Sequence, residues 1–171
     1  MFSTAAFANM IKHSYTQTEG KSPLLCWDIV RLDRAESSNR QHDLIMLNSL
    51  KNTQEWALNL NFRALVQNDF TIVITDMEQR IQWVSSSFRQ MTGYSLQEAK
   101  GRNPSFLQGE STDLRRLSFL RTQLQAGNTA QAEIVNYRKN GEPYLCRLEV
   151  LPVRNHQGEP VNYLAIEKEV K

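Results

Sequence analysis

The stretch that decides the fold reads Gly101-Arg102-Asn103-Pro104-Ser105-Phe106-Leu107-Gln108-Gly109. Glycines bound it at both ends, which is typical of a segment that turns where it enters and where it leaves. Asn103 is a good helix N-cap, and Pro104 suits the first helical position, because that position needs no N–H donor and takes the torsion that proline fixes. The residues alone therefore predict a loop that opens into a short helix.

On both sides of this stretch, short β-branched or apolar runs alternate with turn residues, which is the pattern of an antiparallel sheet. Five strands are predicted, over residues 71–74, 81–84, 130–138, 143–153 and 160–168. The last two turns, at Asn140-Gly141 and at residues 155–158, each hold the glycine that a tight hairpin needs for a positive φ.

Helices fill the interval between the second and third strands. Residues 85–91 have helical spacing of apolar side chains, and Ser95 with Glu98 forms a capping-box pattern that opens the next helix. A longer helix begins near Asp113 and ends at Gly127. The order is strand-strand, several helices, then strand-strand-strand.

The chain before the first strand has a different character. We predict an N-terminal helical extension over residues 1–67 and one domain over residues 68–171, since 171 residues at 40% hydrophobic composition bury one core. Apolar residues recur at helical spacing around Leu47, and a second apolar cluster follows, with Thr53 as a candidate start of its helix. Residues 23–30 form an apolar run for which strand and helix stay equally open.

Charge and cysteine content exclude several classes of partner. The net charge of +2 comes from 20 basic and 18 acidic residues that are dispersed, so we predict neither a nucleic-acid nor a membrane surface. Cys26 and Cys146 have no CxxC or disulfide-framework spacing, which favours reduced thiols in the cytoplasm. The N-terminal apolar stretch is too short for a membrane span or signal peptide.

The pattern resembles the PAS sensor family, and within it the light-oxygen-voltage (LOV) branch. Five segments carry the resemblance: residues 74–76, Phe88 with residues 91–95, residues 101–109, residues 136–141, and Gly158. The resemblance covers residues 70–168. It implies an α+β PAS fold, with a five-stranded antiparallel sheet, short helices on one face and the N-terminal helical extension.

The same resemblance implies a set of candidate pocket residues. Asn103, Gln108, Arg121 and Asn136 stand where LOV proteins hold a flavin, and Cys146 and Glu167 stand at two further flavin-contacting positions. The family's reactive cysteine is replaced by Pro104, so the cysteinyl-flavin adduct has no sulfur.

Three further departures weaken the expected flavin contacts. Ser105 replaces a second phosphate-binding arginine, which removes a charged hydrogen bond of roughly 1.5–3 kcal/mol. Cys146 replaces an asparagine and hydrogen-bonds weakly, and Glu167 replaces a glutamine and, when ionised, cannot donate. We therefore predict that no cofactor is bound. Each retained residue also has a structural interpretation, as a helix cap, a strand end or a solvated arginine.

The alternation of the last strand predicts a second apolar surface. Leu164 and Ile166, with Leu145, Leu151 and Tyr137, are expected to face away from the pocket, so this face needs a cover. Either the chain's own N-terminal helices or a second copy supplies it.

Nothing in the chain indicates catalysis. His13, His42 and His156 are scattered, with no metal-ligand spacing, no adjacent nucleophile and no glycine-rich phosphate loop. We predict no catalytic and no metal-binding residues.

The sequence thus predicts a non-enzymatic PAS sensor or interaction module without LOV adduct photochemistry. Its expected partners are a small-molecule ligand and a second copy or a signalling protein. The alternative is a cysteine-less flavin-binding photoreceptor or redox sensor. The identity of the ligand and of the output partner stays open.

Overall fold

A computed structural model describes the backbone of residues 27–170 and the side chains of residues 35–170. The chain forms two compact units, residues 1–38 and residues 39–171. Of the first unit, only a helical segment from residue 27 onward is described. The features below lie within the second unit.

Five strands, five α-helices and one 3₁₀ helix make up the described chain. In order they are α1 (Trp27–Thr53), α2 (Phe62–Gln67), β1 (Thr71–Thr75), β2 (Ile81–Val84), α3 (Ser87–Thr92), α4 (Leu96–Ala99), the 3₁₀ helix (Pro104–Leu107), α5 (Leu114–Gln125), β3 (Ala130–Tyr137), β4 (Pro143–Arg154) and β5 (Pro160–Glu169). The order of the elements confirms the predicted α+β fold, and the strands begin and end within two residues of their predicted bounds.

The sheet has five strands in the order β2-β1-β5-β4-β3, and every neighbouring pair is antiparallel. β5 therefore lies at the centre, although it is last in the chain. Gly141 and Gly158, with φ of +86° and +84°, make the two predicted turns around β4. Because β5 is central, its residues 164–167, which alternate between the two faces of the sheet, are all buried.

The predicted helix starts are also confirmed by their caps. Ser95 and Glu98 make both hydrogen bonds of a capping box, and the Asp113 carboxylate accepts from the first turn of α5. Thr53 was a wrong choice for a helix start, because α1 continues to that residue, and Asn61 caps the following helix instead. Residues 27–30 of the ambiguous apolar run are helical, and residues 23–26 lie outside the described residues.

The face of the sheet predicted to need a cover is covered by the chain itself. Leu164 is 0% exposed, and Ile166 is buried beside it. The buried Trp56, from the segment between α1 and α2, donates its indole N–H to Asn162 Oδ1 on β5 at 2.9 Å. A second copy is therefore not needed to bury this face.

Two residues predicted on that face behave differently. Leu145 remains 37% exposed. The Tyr137 side chain packs against Gly109, and its hydroxyl accepts from the Ser111 N–H at 2.9 Å.

Asp43 joins α1 to the start of α3. Its carboxylate accepts the Ser86 backbone N–H at 2.9 and 3.1 Å, and the Ser86 hydroxyl at 2.6 Å. Burial raises the pKa of Asp43, and the hydrogen bonds from Ser86 oppose that change. The carboxylate thus satisfies a donor at the N-terminal end of α3.

Candidate functional site

The segment of residues 101–109 folds as predicted, into a loop that opens into the 3₁₀ helix. The Asn103 side chain accepts from the Ser105 N–H at 3.0 Å, and Pro104 takes the first helical position. Beyond the helix, a Cβ added to Gly109 would lie 2.5 Å from the Tyr137 ring, so only glycine allows this close approach. The segment is thereby fixed against the edge strand β3.

A partly open cavity of about 130 Å³ lies between this segment, α5 and one face of the sheet. This is many times the roughly 10–15 Å³ that one water molecule needs. Its lining is Val73, Thr75, Gln79, Asn103, Pro104, Ser105, Gln108, Leu117, Leu120, Arg121, Leu124, Leu148, Val150, Tyr163, Ala165 and Glu167. Apolar atoms form most of the wall surface, and polar groups are interspersed among them, which is typical of a small-molecule site.

Exposed polar residues lie on the more accessible part of this lining. Asn103, Ser105 and Arg121 are all exposed. The Asn103 Nδ2 is 3.5 Å from Gln79 Oε1, a long contact, whereas its Oδ1 accepts from the Ser105 N–H at 3.0 Å. Within the described part of the chain, no hydrogen bond or ion pair holds the Arg121 guanidinium, so a cationic group is available to a ligand.

Glu167 is a buried ionisable group of the cavity wall. It is 7% exposed, and its strand neighbours are Thr71 on β1 and Leu148 on β4. Its one hydrogen-bonding contact among the described residues is weak, with the Cys146 Sγ 3.9 Å from Oε2. Burial raises the pKa of Glu167 to about 7, so the neutral acid and the carboxylate are both populated near neutral pH.

A second buried polar cluster lies in the adjoining core. Asn136 is paired with Tyr144 across β3 and β4, and both side chains are buried. Asn136 Oδ1 and the Tyr144 hydroxyl make no hydrogen bond of normal geometry within residues 35–170. Burial, and then the negative charge of Glu167, raise the pKa of Tyr144, whereas the adjacent Asn136 side chain lowers it.

Cys146 belongs to the same core. It is 0% exposed and packs in an apolar cluster with residues of α5, β3 and β4. Burial raises the pKa of its thiol, and so does the neighbouring Glu167. The thiol is therefore protonated at neutral pH and is a poor nucleophile.

The structure brings four of the six candidate residues together on one cavity wall: Asn103, Gln108, Arg121 and Glu167. Asn136 and Cys146, which were expected in the same pocket, lie in the core beside it and do not line the cavity. The reason is packing, since Leu117, Leu120 and Leu148 stand both in the cavity wall and in the core cluster that holds Cys146.

Among the polar residues of the cavity wall, Thr75, Gln79 and Tyr163 were not in the predicted pocket set. Thr75 and Tyr163 are strand partners, and Tyr163 has the same parity as Glu167, so the alternation of β5 held that signal. Gln79 has φ of +60° in the β1–β2 turn, and nothing in the sequence marked it.

No group of three histidine, cysteine or acidic side chains among the described residues is arranged to hold a metal ion. No helix there combines the length and the apolar character that crossing a bilayer requires.

Comparison with known proteins identifies the same part of the chain. The sequence profile of the PAS domain matches residues 68–171. Phototropin-2 of Oryza sativa subsp. japonica is 35% identical over 103 residues, covering 58% of this chain and 11% of that protein. A blue-light photoreceptor of Listeria innocua serovar 6a is 33% identical over 111 residues, covering 63% of this chain and 44% of that protein. The chain thus matches less than half of either relative.

Solved structures give the same result at the level of the fold. A structure described as "Flavin Analogue Sheds Light on Light-Oxygen-Voltage Domain Mechanism" is 34% identical, with a TM-score of 0.61, and covers 64% of this chain and 84% of that one. The likeness therefore includes nearly the whole of a LOV domain.

Proposed function

This chain belongs to the PAS domain family, and from that premise we propose that it is a sensory module whose cavity binds a flavin without forming a cysteinyl adduct. This is the alternative that the sequence left open, and both the relatives and the cavity favour it over a cofactor-free module. Relatives named as a blue-light photoreceptor and as a phototropin are identical to it at about a third of the aligned positions.

The accessible side of the cavity fits the polar tail of a flavin. Arg121 is exposed and has no partner within the described chain, so its guanidinium can pair with a phosphate. Asn103 and Gln108 add amide groups that both donate and accept. Ser105 supplies no second cation, so we expect the phosphate to contribute less affinity here than two arginines would allow.

The buried side fits the polar edge of a heterocyclic ring. Asn136 Oδ1 and the Tyr144 hydroxyl are buried and lack partners, and such groups cost free energy unless a ligand or water satisfies them. Glu167 in its neutral form offers a donor and an acceptor together, as an amide does. Reaching Asn136 requires Leu117 or Leu120 to shift, so we expect the cavity to enlarge on binding.

The chemistry of the proposed site depends on which reactive side chains are present at the cavity. A bound flavin supplies light absorption and one-electron chemistry. Pro104 has no thiol, and Cys146 is buried and protonated beside Glu167. We therefore propose that the response to light or reductant is noncovalent and that the chain's own residues orient the ring and exchange a proton with it.

One observation carries the proposal: a cavity on a LOV-type fold that combines the unpaired Arg121 with the buried Glu167. The test is to purify the protein, record its absorption spectrum, and titrate the colourless fraction with riboflavin and flavin mononucleotide by fluorescence. We expect flavin binding and no light-induced adduct spectrum. A folded protein that binds neither compound would refute the proposal.

A cavity-filling variant controls for nonspecific binding. Ala165→Leu adds a side chain to the cavity wall, so it should abolish flavin binding. Ala132→Leu makes an equal change on β3 outside the lining and should leave binding intact. Urea unfolding of both variants establishes that they are folded.

A second candidate is a sensor of a different small molecule. It is favoured by Ser105 and Glu167, which depart from the flavin-binding pattern, and by the separation of Asn136 from the cavity. This candidate predicts a colourless protein that is stabilised by an uncharged or cationic metabolite in a thermal-shift library. Failure to bind flavin together with such a hit would replace the first proposal with this one.

Domain limits and partners complete the proposal. We propose that residues 1–67 are an N-terminal helical extension of a domain at residues 68–171, and that the protein is cytoplasmic and non-enzymatic. We also propose that it signals to a second copy or to a partner protein. A second copy as the cover of Leu164 and Ile166, which the sequence left open, is corrected, because both residues are buried within the chain. Light scattering at increasing concentration tests for self-association.

A further inference from the structure

Glu167 is a buried carboxyl group with no cation to balance it. It lies in the cavity wall at 7% exposure, and no salt bridge to it forms within residues 35–170. An ionised carboxylate that is buried without a partner is strongly unfavourable. Burial without a cationic partner therefore favours the neutral acid.

The groups around Glu167 do not change this conclusion. From β4 it faces the Cys146 thiol, 3.9 Å away, and the Tyr144 phenol, both of which are neutral at neutral pH. From β1 its neighbour is Thr71, which does not titrate. On its own strand, Glu169 is bound by Arg138 at 2.7 Å.

The remaining elements supply one charge to the cavity. The 3₁₀-helix segment contributes neutral side chains, among them Asn103 and Gln108, and α5 contributes Arg121. Arg121 is exposed and makes no ion pair with Glu167. Solvent screens such an exposed cation, so it stabilises a buried carboxylate only weakly.

We infer that the protonation state of Glu167 controls which ligands the cavity binds. As the neutral acid, Glu167 favours uncharged ligands, and as the carboxylate it favours cations. The neutral acid can donate to a ring nitrogen or carbonyl oxygen and also accept from a ring N–H. The carboxylate only accepts, and its charge requires a cationic partner. This inference rests on the proposed function in taking the cavity as a ligand site.

The pKa of about 7 places this change at physiological pH. An uncharged ligand that needs the neutral acid binds together with a proton once the pH exceeds the pKa. Its affinity then falls as the pH rises. A cation binds with the opposite pH dependence, because proton release from Glu167 favours it.

The test measures riboflavin affinity from pH 5.5 to pH 8.5 by fluorescence quenching. Riboflavin is the probe because it lacks the phosphate, whose own titration near pH 6 would confuse the result. We expect affinity for the wild-type protein to fall about tenfold between pH 6 and pH 8, and affinity for Glu167→Gln to stay constant. Identical pH profiles for the two proteins would overturn the inference and leave the flavin proposal standing.

Glu149→Gln is the matched control. Glu149 is also buried and also has a pKa raised by burial, but it pairs with Ile166 and does not line the cavity. Its substitution should leave the pH dependence of riboflavin affinity unchanged. Loss of the pH dependence in Glu149→Gln would show that a group other than Glu167 carries the controlling proton, contrary to the inference.

A protein that binds no riboflavin at any pH would refute the flavin proposal and requires another probe. Thermal shift with benzamidine, which is a cation over this range, then decides. Stabilisation of the wild type that appears only above pH 7, and is absent in Glu167→Gln, would support the inference. Absence of any shift would overturn it.

Discussion

The two faces of the central strand β5 are both buried, but they are buried in different ways. On one face both amide atoms of Asn162 have a partner: Oδ1 accepts from Trp56, and Nδ2 donates to the Thr75 carbonyl at 2.9 Å. On the other face Glu167 has a single weak contact with a thiol and borders a cavity. A satisfied buried polar group stabilises one structure, whereas an unsatisfied one beside empty space is what a ligand site requires.

The packed face should carry the largest effect on folding. Trp56→Ala removes a fully buried ring and leaves Asn162 without its donor, so we expect the free energy of unfolding to fall by about 4 kcal/mol. Urea unfolding measures this. Trp56→Phe keeps one aromatic ring but loses the N–H and part of the buried volume, and should cost less, about 2–3 kcal/mol. Equal losses in the two variants would mean that packing contributes little.

The cavity face should instead respond to pH. The pKa of Glu167 is raised from 4.5 to about 7, so the folded state binds its proton more tightly than the unfolded state. The resulting stabilisation is complete below about pH 4.5 and is lost as the pH rises through 7. Relative to Glu167→Gln, the wild type should lose about 3 kcal/mol between pH 4 and pH 8.

Unfolding curves of the two ligand-free proteins at several pH values check this prediction. The comparison isolates Glu167, because Asp43 and Glu149, whose pKa values are also raised, contribute equally to both. A constant difference across the range would contradict it.

The hydrogen bonds between Asp43 on α1 and Ser86 at the start of α3 should contribute less to the free energy of unfolding. Asp43→Ala removes the hydrogen bonds to the Ser86 N–H and hydroxyl, so we expect a loss of about 2 kcal/mol in urea unfolding. Asp43→Asn keeps one acceptor oxygen and should lose about half as much. An Asn variant as unstable as the Ala variant would show that the charge, rather than the acceptor, matters.

The smallest effect on folding should come from the accessible side of the cavity. Arg121→Ala removes an exposed side chain and should change stability by no more than about 0.5 kcal/mol. It should nevertheless weaken flavin mononucleotide binding about tenfold and leave riboflavin binding unchanged, because only the former has a phosphate. Arg115→Ala, on the same helix but outside the cavity lining, is the control and should alter neither affinity.

Local signals explain what the sequence predicted well. The Ser95–Glu98 capping box, the Asn103-Pro104 helix start and the two glycine turns each depend on residues within four positions of one another. Strand alternation likewise separated the buried Leu164 from the cavity-lining Glu167. Such features depend on the backbone, so they can be inferred before any tertiary contact is known.

The membership of the cavity depended on tertiary packing and was only partly predictable. Asn136 and Cys146 have the right parity to face α5, but Leu117 and Leu120 pack between the helix and the sheet and close that end. The same helix leaves Leu114 and Phe119 exposed at 76% and 55%, although all these residues look alike in the sequence. Helical periodicity gives the faces of a helix but not the depth at which each side chain packs.

At the position of Pro104, the chemistry of the site can change while the fold stays the same. The first position of a helix leaves its N–H without an intrahelical acceptor, so proline gives up nothing there, and a residue with an N–H gains nothing. The hydrogen bonding of the helix therefore does not require proline at that site. A thiol could therefore replace proline at residue 104, or proline could replace a thiol, while the surrounding fold stayed the same.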